Sequence, residues 1–99
     1  MAFGISRKEL NNWKSLVLSG EIAFITHYWQ DARFKDCHTV TKVGCKDIHR
    51  LIEWGYMYDL KKEWIDPHPL YPHFDLFGET QKKILLNEGL VKHIQRFNL

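Results

Sequence analysis

Apolar positions near the start of the chain recur with the spacing of a helix. Ser6 and Glu9 form a capping box, in which a hydroxyl and a carboxylate three residues apart satisfy the first backbone N–H groups of a helix. Trp13 and Val17 then follow at an interval of four residues, so they lie on one helix face. The pattern predicts a first helix over residues 7–18.

Strand patterns follow in three places. In residues 21–29 both alternating sets of positions carry apolar groups, which predicts an inner strand covered on both sides. Residues 38–43 predict a second short strand or a loop returning to the sheet, and residues 73–77 predict a further strand. Residues 90–97 are interpreted as a last strand, with a helical tail as the alternative.

Two further helices complete the pattern. Residues 47–58 carry apolar groups at helical spacing, and residues 79–87 are followed by a glycine suited to a helix end. All three prolines fall in residues 66–72, which predicts an extended loop. The order predicts an α/β fold: one compact domain over residues 1–99, with a small mixed central sheet flanked by about three helices.

Composition narrows the function classes. Of the 99 residues, 44% are hydrophobic and 26% are charged, and the net charge of +2 is spread along the chain rather than clustered as in dedicated nucleic-acid binders. The apolar runs are too short for a membrane helix, and the start lacks the pattern of a signal peptide. We therefore expect a cytoplasmic protein in which Cys37 and Cys45 are free thiols.

A first polar cluster follows the strand predicted at residues 21–29. His27, Asp31 and Arg33 offer an acid/base group, a carboxylate and a cation for an anion. Ligands of open α/β sheets bind beyond the carboxyl ends of the strands, which favours a functional site here. The alternative is a hydrogen-bonded interior histidine followed by a surface turn.

A second polar cluster lies on the strand predicted at residues 73–77 and the helix after it. His73 and Asp75 are two residues apart and share one strand face, so the carboxylate can orient the imidazole. Lys82 and Lys83 follow in the first turns of the helix, where backbone N–H groups favour a phosphate. The alternative is a half-buried histidine–aspartate pair with two solvated lysines.

A thiol segment raises the possibility of zinc. Cys37, His38 and Cys45 are ligand types that zinc accepts, yet seven residues separate the two cysteines, unlike the short spacing of structural zinc sites. A small buried residue is the default interpretation of Cys45. We assign no metal ligand and no cofactor from the sequence.

The segment His73-Phe74-Asp75-Leu76, a helix bearing Lys82 and Lys83, and a predicted terminal strand resemble a family of short bacterial and phage proteins grouped as a domain of unknown function. That family carries an H-(Tyr/Phe)-D-(Ile/Leu/Val) segment. Residues 1–20 have no counterpart in it. The whole chain also resembles small uncharacterised cytosolic bacterial proteins. The resemblance implies one pocket formed by Asp31, Arg33, His73, Asp75 and one of Lys82 or Lys83.

These observations lead to three hypotheses. The first is a pocket for a phosphate-bearing ligand such as a nucleotide or nucleic acid, in which Arg33 and Lys83 hold the anion. If the protein is an enzyme, His73, oriented by Asp75, is the general acid/base, and His27 and Asp31 add a metal-binding or proton-transfer group. The second is a non-enzymatic protein-interaction module that uses the proline-rich rim with Tyr56, Tyr58 and Trp64. The third is a domain stabilised by zinc at Cys37, His38 and Cys45.

Overall fold

Residues 4–99 of the computed structural model are described, and they contain four α-helices and one three-stranded sheet. In chain order the elements are α1 (Arg7–Leu18), β1 (Ala23–Tyr28), β2 (Thr39–Gly44), α2 (Ile48–Tyr56), β3 (His73–Leu76), α3 (Gly78–Asn87) and α4 (Val91–Phe97), with a 3₁₀ turn (Lys62–Trp64) before β3. The predicted α/β class is confirmed. Within residues 4–99, no helix combines the length and apolarity needed to cross a membrane.

The capping box at the start of α1 forms as predicted. The Ser6 hydroxyl accepts a hydrogen bond from the Glu9 backbone N–H at 3.1 Å, and the Glu9 carboxylate accepts one from the Ser6 N–H at 3.0 Å. Trp13 and Val17 are buried against β1. The local signal therefore set both the start and the inner face of α1.

The sheet has the order β1-β2-β3 and is antiparallel throughout the described residues, where a mixed sheet was expected. The strand predicted over residues 21–29 forms as β1, but its predicted inner position is wrong. β1 lies at an edge of the sheet, and β2 is the central strand. An apolar pattern on both sides of a strand reports that both sheet faces are covered. It carries no information about how many strands lie beside it.

Residues 90–97 form α4 rather than a last strand. His93 and Phe97 are four residues apart and share a helix face directed at β1, where His93 Nδ1 lies 2.8 Å from the Thr26 hydroxyl oxygen. The Phe97 ring meets the Tyr28 ring of β1 edge-to-face, with centroids 5.0 Å apart. The seven residues of α4 carry apolar groups at the spacing of a helix and also at that of a strand, so the pattern fits either element. The contact with β1 favours the helix.

The alternation of side chains gives the sheet two faces, each with its own core. The α1 face, named for the helix that covers it, carries Ala23 and Ile25, which pack with Trp13 and Val17. The opposite face, here the α3 face, carries the larger core. Its buried members are Val43, Cys45, Leu51, Trp54, Leu60, Phe74, Leu76 and Ile84.

Candidate functional site

β3 places His73 and Asp75 on the α1 face of the sheet, two residues apart, as the sequence predicted. The His73 residue is 7% exposed, and its ring stands edge-on to Trp13 with centroids 6.2 Å apart. Its Nδ1 lies 2.7 Å from the Tyr71 carbonyl oxygen, so we assign the ring proton to Nδ1. The Tyr71 carbonyl, rather than Asp75, thereby orients the ring.

The other ring nitrogen of His73 faces a group of charged side chains. Its Nε2 lies 3.7 Å from a carboxylate oxygen of Asp66, 3.7 Å from one of Asp75 and 3.4 Å from Nζ of Lys42. Lys42 is also 3.5 Å from Asp75. We call Lys42, Asp66, His73 and Asp75 the β3 cluster. It presents an imidazole lone pair and two carboxylates to a common point.

Two members of the β3 cluster were missed by the sequence analysis, because strand pairing brings them in. Lys42 of β2 lies directly opposite Asp75 of β3 in the antiparallel register. Asp66, the first residue of the proline-rich loop at 66–72, pairs with His73 through two backbone hydrogen bonds of 2.8 and 3.2 Å. These bonds place the start of the loop beside β3. Only the placement of Asp66 immediately before Pro67 hinted at an extended residue there.

His27 lies on the same sheet face but outside the β3 cluster. It belongs to β1 and pairs with Val40, so β2 separates it from His73 and Asp75. The residue is 5% exposed, its Nδ1 is 2.8 Å from the Tyr28 carbonyl oxygen, and its Nε2 has no hydrogen-bond partner within residues 4–99. Burial lowers the pKa of His27, which favours the neutral ring.

Asp31 and Arg33 lie in the loop after β1, at the opposite end of the sheet from His73. Arg33 donates Nε and Nη2 hydrogen bonds to the two carboxylate oxygens of Asp31 at 3.0 and 2.7 Å. This contact lowers the pKa of Asp31 to about 2. The structure therefore pairs these two residues with each other and does not bring them to the β3 cluster.

Lys82 and Lys83 are exposed on α3, which packs on the α3 face through Ile84 and Gln81. His73 and Asp75 point to the other face, because alternate strand residues project in opposite directions. Lys82 instead borders a hollow of about 540 Å³ at the start of α3. The single pocket implied by the resemblance is thus divided among three places.

The two cysteines are free, as predicted, and they flank β2 at opposite ends. At the rise of an extended strand, the residues between them span roughly 20 Å, which excludes a shared zinc ion. Cys45 is buried with its Sγ 3.3 Å from the Gly20 carbonyl oxygen, and burial raises the pKa of its thiol. The zinc hypothesis for Cys37, His38 and Cys45 is therefore wrong.

The aromatic residues proposed for a partner surface differ in exposure. Tyr56 is 58% exposed and Trp64 is 57% exposed. Tyr58 is partly buried, donates its hydroxyl hydrogen to Glu88 and accepts a hydrogen bond from Asn87 at 2.7 Å. Tyr58 therefore connects the segment after α2 to the C-terminal end of α3, and the rings of Tyr56 and Trp64 stay exposed.

Comparison with known proteins gives one close relative. The chain is 60% identical over 99 residues to the uncharacterized protein YneQ of Bacillus subtilis (strain 168), and the match covers 100% of both chains. The chain belongs to the YneQ family. The expected kinship with small uncharacterised bacterial proteins is confirmed. No protein-family model and no solved structure matches the chain.

Proposed function

We propose that the protein binds a divalent metal ion through Asp66, His73 and Asp75. The observation that carries the proposal is the convergence of one imidazole nitrogen and two carboxylate oxygens, all within 4.8 Å of one another. Ligands at about 2.1 Å from one ion are about 3.4 Å apart in a tetrahedral arrangement. The two distances of 3.7 Å from His73 Nε2 need only a small side-chain adjustment.

The surroundings of His73 suit a metal ligand. A ligating histidine commonly donates its other N–H to a backbone carbonyl or a carboxylate, which fixes the ring and raises its basicity. The Tyr71 carbonyl takes this role at Nδ1 and leaves the Nε2 lone pair directed at Asp66 and Asp75. One imidazole with two carboxylates suits zinc, manganese or ferrous iron better than calcium.

Lys42 holds the position of the cation in the absence of an ion. Its ammonium lies within 3.5 Å of both His73 Nε2 and Asp75, so an ion bound to those two groups must displace it. The Lys42 side chain is 31% exposed, which leaves it room to turn toward solvent. We expect Lys42 to compete with the metal and to weaken binding.

Calorimetric titration with Mn²⁺ and Zn²⁺ tests the proposal. Asp66→Asn and Asp75→Asn each remove the negative charge of one proposed carboxylate ligand, and both side chains are exposed. Each substitution should weaken metal binding by about tenfold or more. Lys42→Met removes the competing ammonium and should tighten binding by several-fold. Asp31→Asn is the matched control, because its carboxylate lies at the other end of the sheet.

The results of these titrations distinguish a metal site at the β3 cluster from the absence of one. Loss of affinity in both β3-cluster variants, with an unchanged Asp31→Asn variant, supports the metal site. Wild-type protein that takes up neither ion, or equal affinities in all the aspartate variants, overturns it. Thermal melting of each variant without metal checks that the fold is intact.

The phosphate-bearing ligand suggested by the sequence has a second candidate location, the hollow at the start of α3. The residue before this helix, Phe77, has an apolar side chain that makes no capping hydrogen bond within the described residues, and the first backbone N–H groups of a helix favour an anion. Lys82 borders the hollow, but so do Asp36 and Glu79. Because these carboxylates oppose an anion, the β3 cluster remains our first proposal.

Amide NMR with inorganic phosphate tests this second location. We expect saturable shifts at residues 78–82 that Lys82→Ala weakens and Lys83→Ala leaves unchanged, because Lys82 borders the hollow and Lys83 does not. Equal effects of the two substitutions would indicate a diffuse electrostatic attraction instead. Absence of shifts in this segment would remove the hollow as a phosphate site.

A further inference from the structure

A groove of about 460 Å³ runs beside the outer edge of β3 and shares Asp75 with the β3 cluster. Its volume lies within the usual range for small-molecule sites. Its walls are Leu60, Trp64, Asp75, Leu76, Phe77 and Thr80. Asp75 links the two, because its carboxylate belongs to the β3 cluster on the α1 face and the groove lies around the outer edge of β3, where Leu60 and Leu76 of the other core line it. A ligand bound at the proposed metal can therefore extend around this open edge into the groove.

The groove exists because a fourth strand begins beside β3 and stops at once. Asp66 pairs with His73, but the preceding residues wind into the 3₁₀ turn Lys62–Trp64 instead of continuing along β3. In the antiparallel pattern the backbone groups of successive residues point to alternate sides, so those of Asp75 face the groove. The outer edge of β3 is thus open next to a proposed metal ligand.

Most of the groove surface is apolar, and one wall is flat. Leu60 and Leu76 are buried at its base, and Trp64 is an indole that is 57% exposed. The ammonium of Lys61 lies 5.7 Å from the centre of the Trp64 ring. An aromatic wall beside a cation suits a planar apolar group that carries a negative charge.

Charge in the β3 cluster determines which head group can bind. Without an ion, the two carboxylates of Asp66 and Asp75 outweigh the one ammonium of Lys42, so an anion is repelled. A divalent ion reverses the sign of the cluster. It also releases Lys42, whose ammonium can then pair with an anion bound to the metal.

We propose that the metal-loaded protein binds a small organic phosphate with a planar apolar body. The phosphate coordinates the ion and pairs with Lys42, and the planar body occupies the groove against Trp64. This inference rests on the proposed metal site. It adds a ligand class and a specificity-determining residue, Trp64, which borders the groove and is not one of the proposed metal ligands.

Calorimetry with phenyl phosphate tests the inference, using protein saturated with Mn²⁺. Inorganic phosphate is the control for the head group, and benzyl alcohol is the control for the ring. We expect phenyl phosphate to bind at least about tenfold more tightly than inorganic phosphate, and benzyl alcohol to bind weakly. Removal of Mn²⁺ with EDTA should abolish the binding of both phosphates.

Two aromatic variants locate the body of the ligand. Trp64→Ala should reduce the preference for phenyl phosphate to about twofold or less while leaving Mn²⁺ affinity unchanged. Tyr56→Ala is the matched control, because this ring is equally exposed but does not border the groove. A preference that persists in Trp64→Ala, or is lost equally in Tyr56→Ala, overturns the assignment of the groove.

The two proposals fail in different ways. If the wild-type protein binds no Mn²⁺, the metal site is wrong and this inference falls with it. If Mn²⁺ binds through Asp66 and Asp75 but phenyl phosphate has no advantage over inorganic phosphate, only the groove inference is wrong. The first titration therefore decides the site, and the second decides its ligand class.

Discussion

The three histidines of this chain that are buried or half-buried and hydrogen-bonded through Nδ1 differ in what their other ring nitrogen contacts, and this contact decides the chemistry of each ring. Nδ1 of His27 contacts the Tyr28 carbonyl oxygen, Nδ1 of His73 contacts the Tyr71 carbonyl oxygen, and Nδ1 of His93 lies 2.8 Å from the Thr26 hydroxyl. Among these rings, His73 directs its Nε2 at two carboxylates. Residue type alone could not distinguish it from His27.

At the residue scale we predict that stability falls when the pH drops from about 7 to about 5. Burial lowers the pKa of both His27 and His93 from 6.5, and the charge of Arg96 lowers that of His93 further. The unfolded chain therefore binds more protons than the folded one below about pH 6.5, and acid favours unfolding. Stability is fully retained above that pH.

Urea unfolding at the two pH values checks this prediction. His93→Gln removes one titrating group but keeps a side chain that can bond Thr26, so it should reduce the difference in unfolding free energy between the two pH values. Glu9 and Asp31, with pKa values of about 2, stay ionised over this range and do not contribute. A wild-type stability independent of pH would contradict the expectation.

At the scale of elements, the shared face of His73 and Asp75 on β3 was predicted correctly. The expected meeting of the α3 lysines with these two residues was not. Alternation along a strand put His73 and Asp75 on one face, as observed. The same rule gives no information about which face the next helix covers. Because α3 covers the other face, Lys82 and Lys83 lie away from His73 and Asp75.

The contact between α2 and β3 gives a prediction at this scale. A Cβ atom added to Gly55 of α2 would lie 2.7 Å from the Phe74 ring, so Gly55→Ala must move the helix or the ring. We expect a loss of about 1–3 kcal/mol in the free energy of unfolding, although alanine favours helices.

Glu53→Ala is the control for this substitution, since Glu53 is an exposed residue of the same helix and its loss should change stability by less than about 0.5 kcal/mol. Denaturant titration of both variants makes the comparison. Equal stabilities would show that Phe74 can move aside freely.

At the scale of the whole molecule, one sheet joins two cores. Trp13 and Val17 of α1 pack on one face, and Leu51, Phe74 and Ile84 belong to the core of the other. Every strand contributes side chains to both faces, so neither core can persist once the sheet separates. We therefore predict a single cooperative unfolding transition.

Amide NMR during a urea titration checks this cooperativity. The signals of Val17 and Ile84 report on the two cores, and we expect them to lose intensity at the same midpoint as the far-ultraviolet circular dichroism. Two separate midpoints would mean that α1 and its core unfold independently of the rest.

Features that depend on neighbours along the chain could be predicted from the sequence. These are the capping box of Ser6 and Glu9, the periodic faces of α1 and α2, and the common strand face of His73 and Asp75. Capping, periodicity and alternation are local properties of the backbone, which is why they could be predicted.

Which distant residues contact one another depends on how the elements pack, and this could not be predicted from the sequence. The edge position of β1, the helical state of residues 90–97 and the approach of Lys42 and Asp66 to His73 all depend on pairings between distant segments. The spacing of hydrophobic residues shows which faces of a segment are buried. It does not show which other segment buries them. The β3 cluster therefore arises from strand register, which the spacing of residues along the chain does not encode.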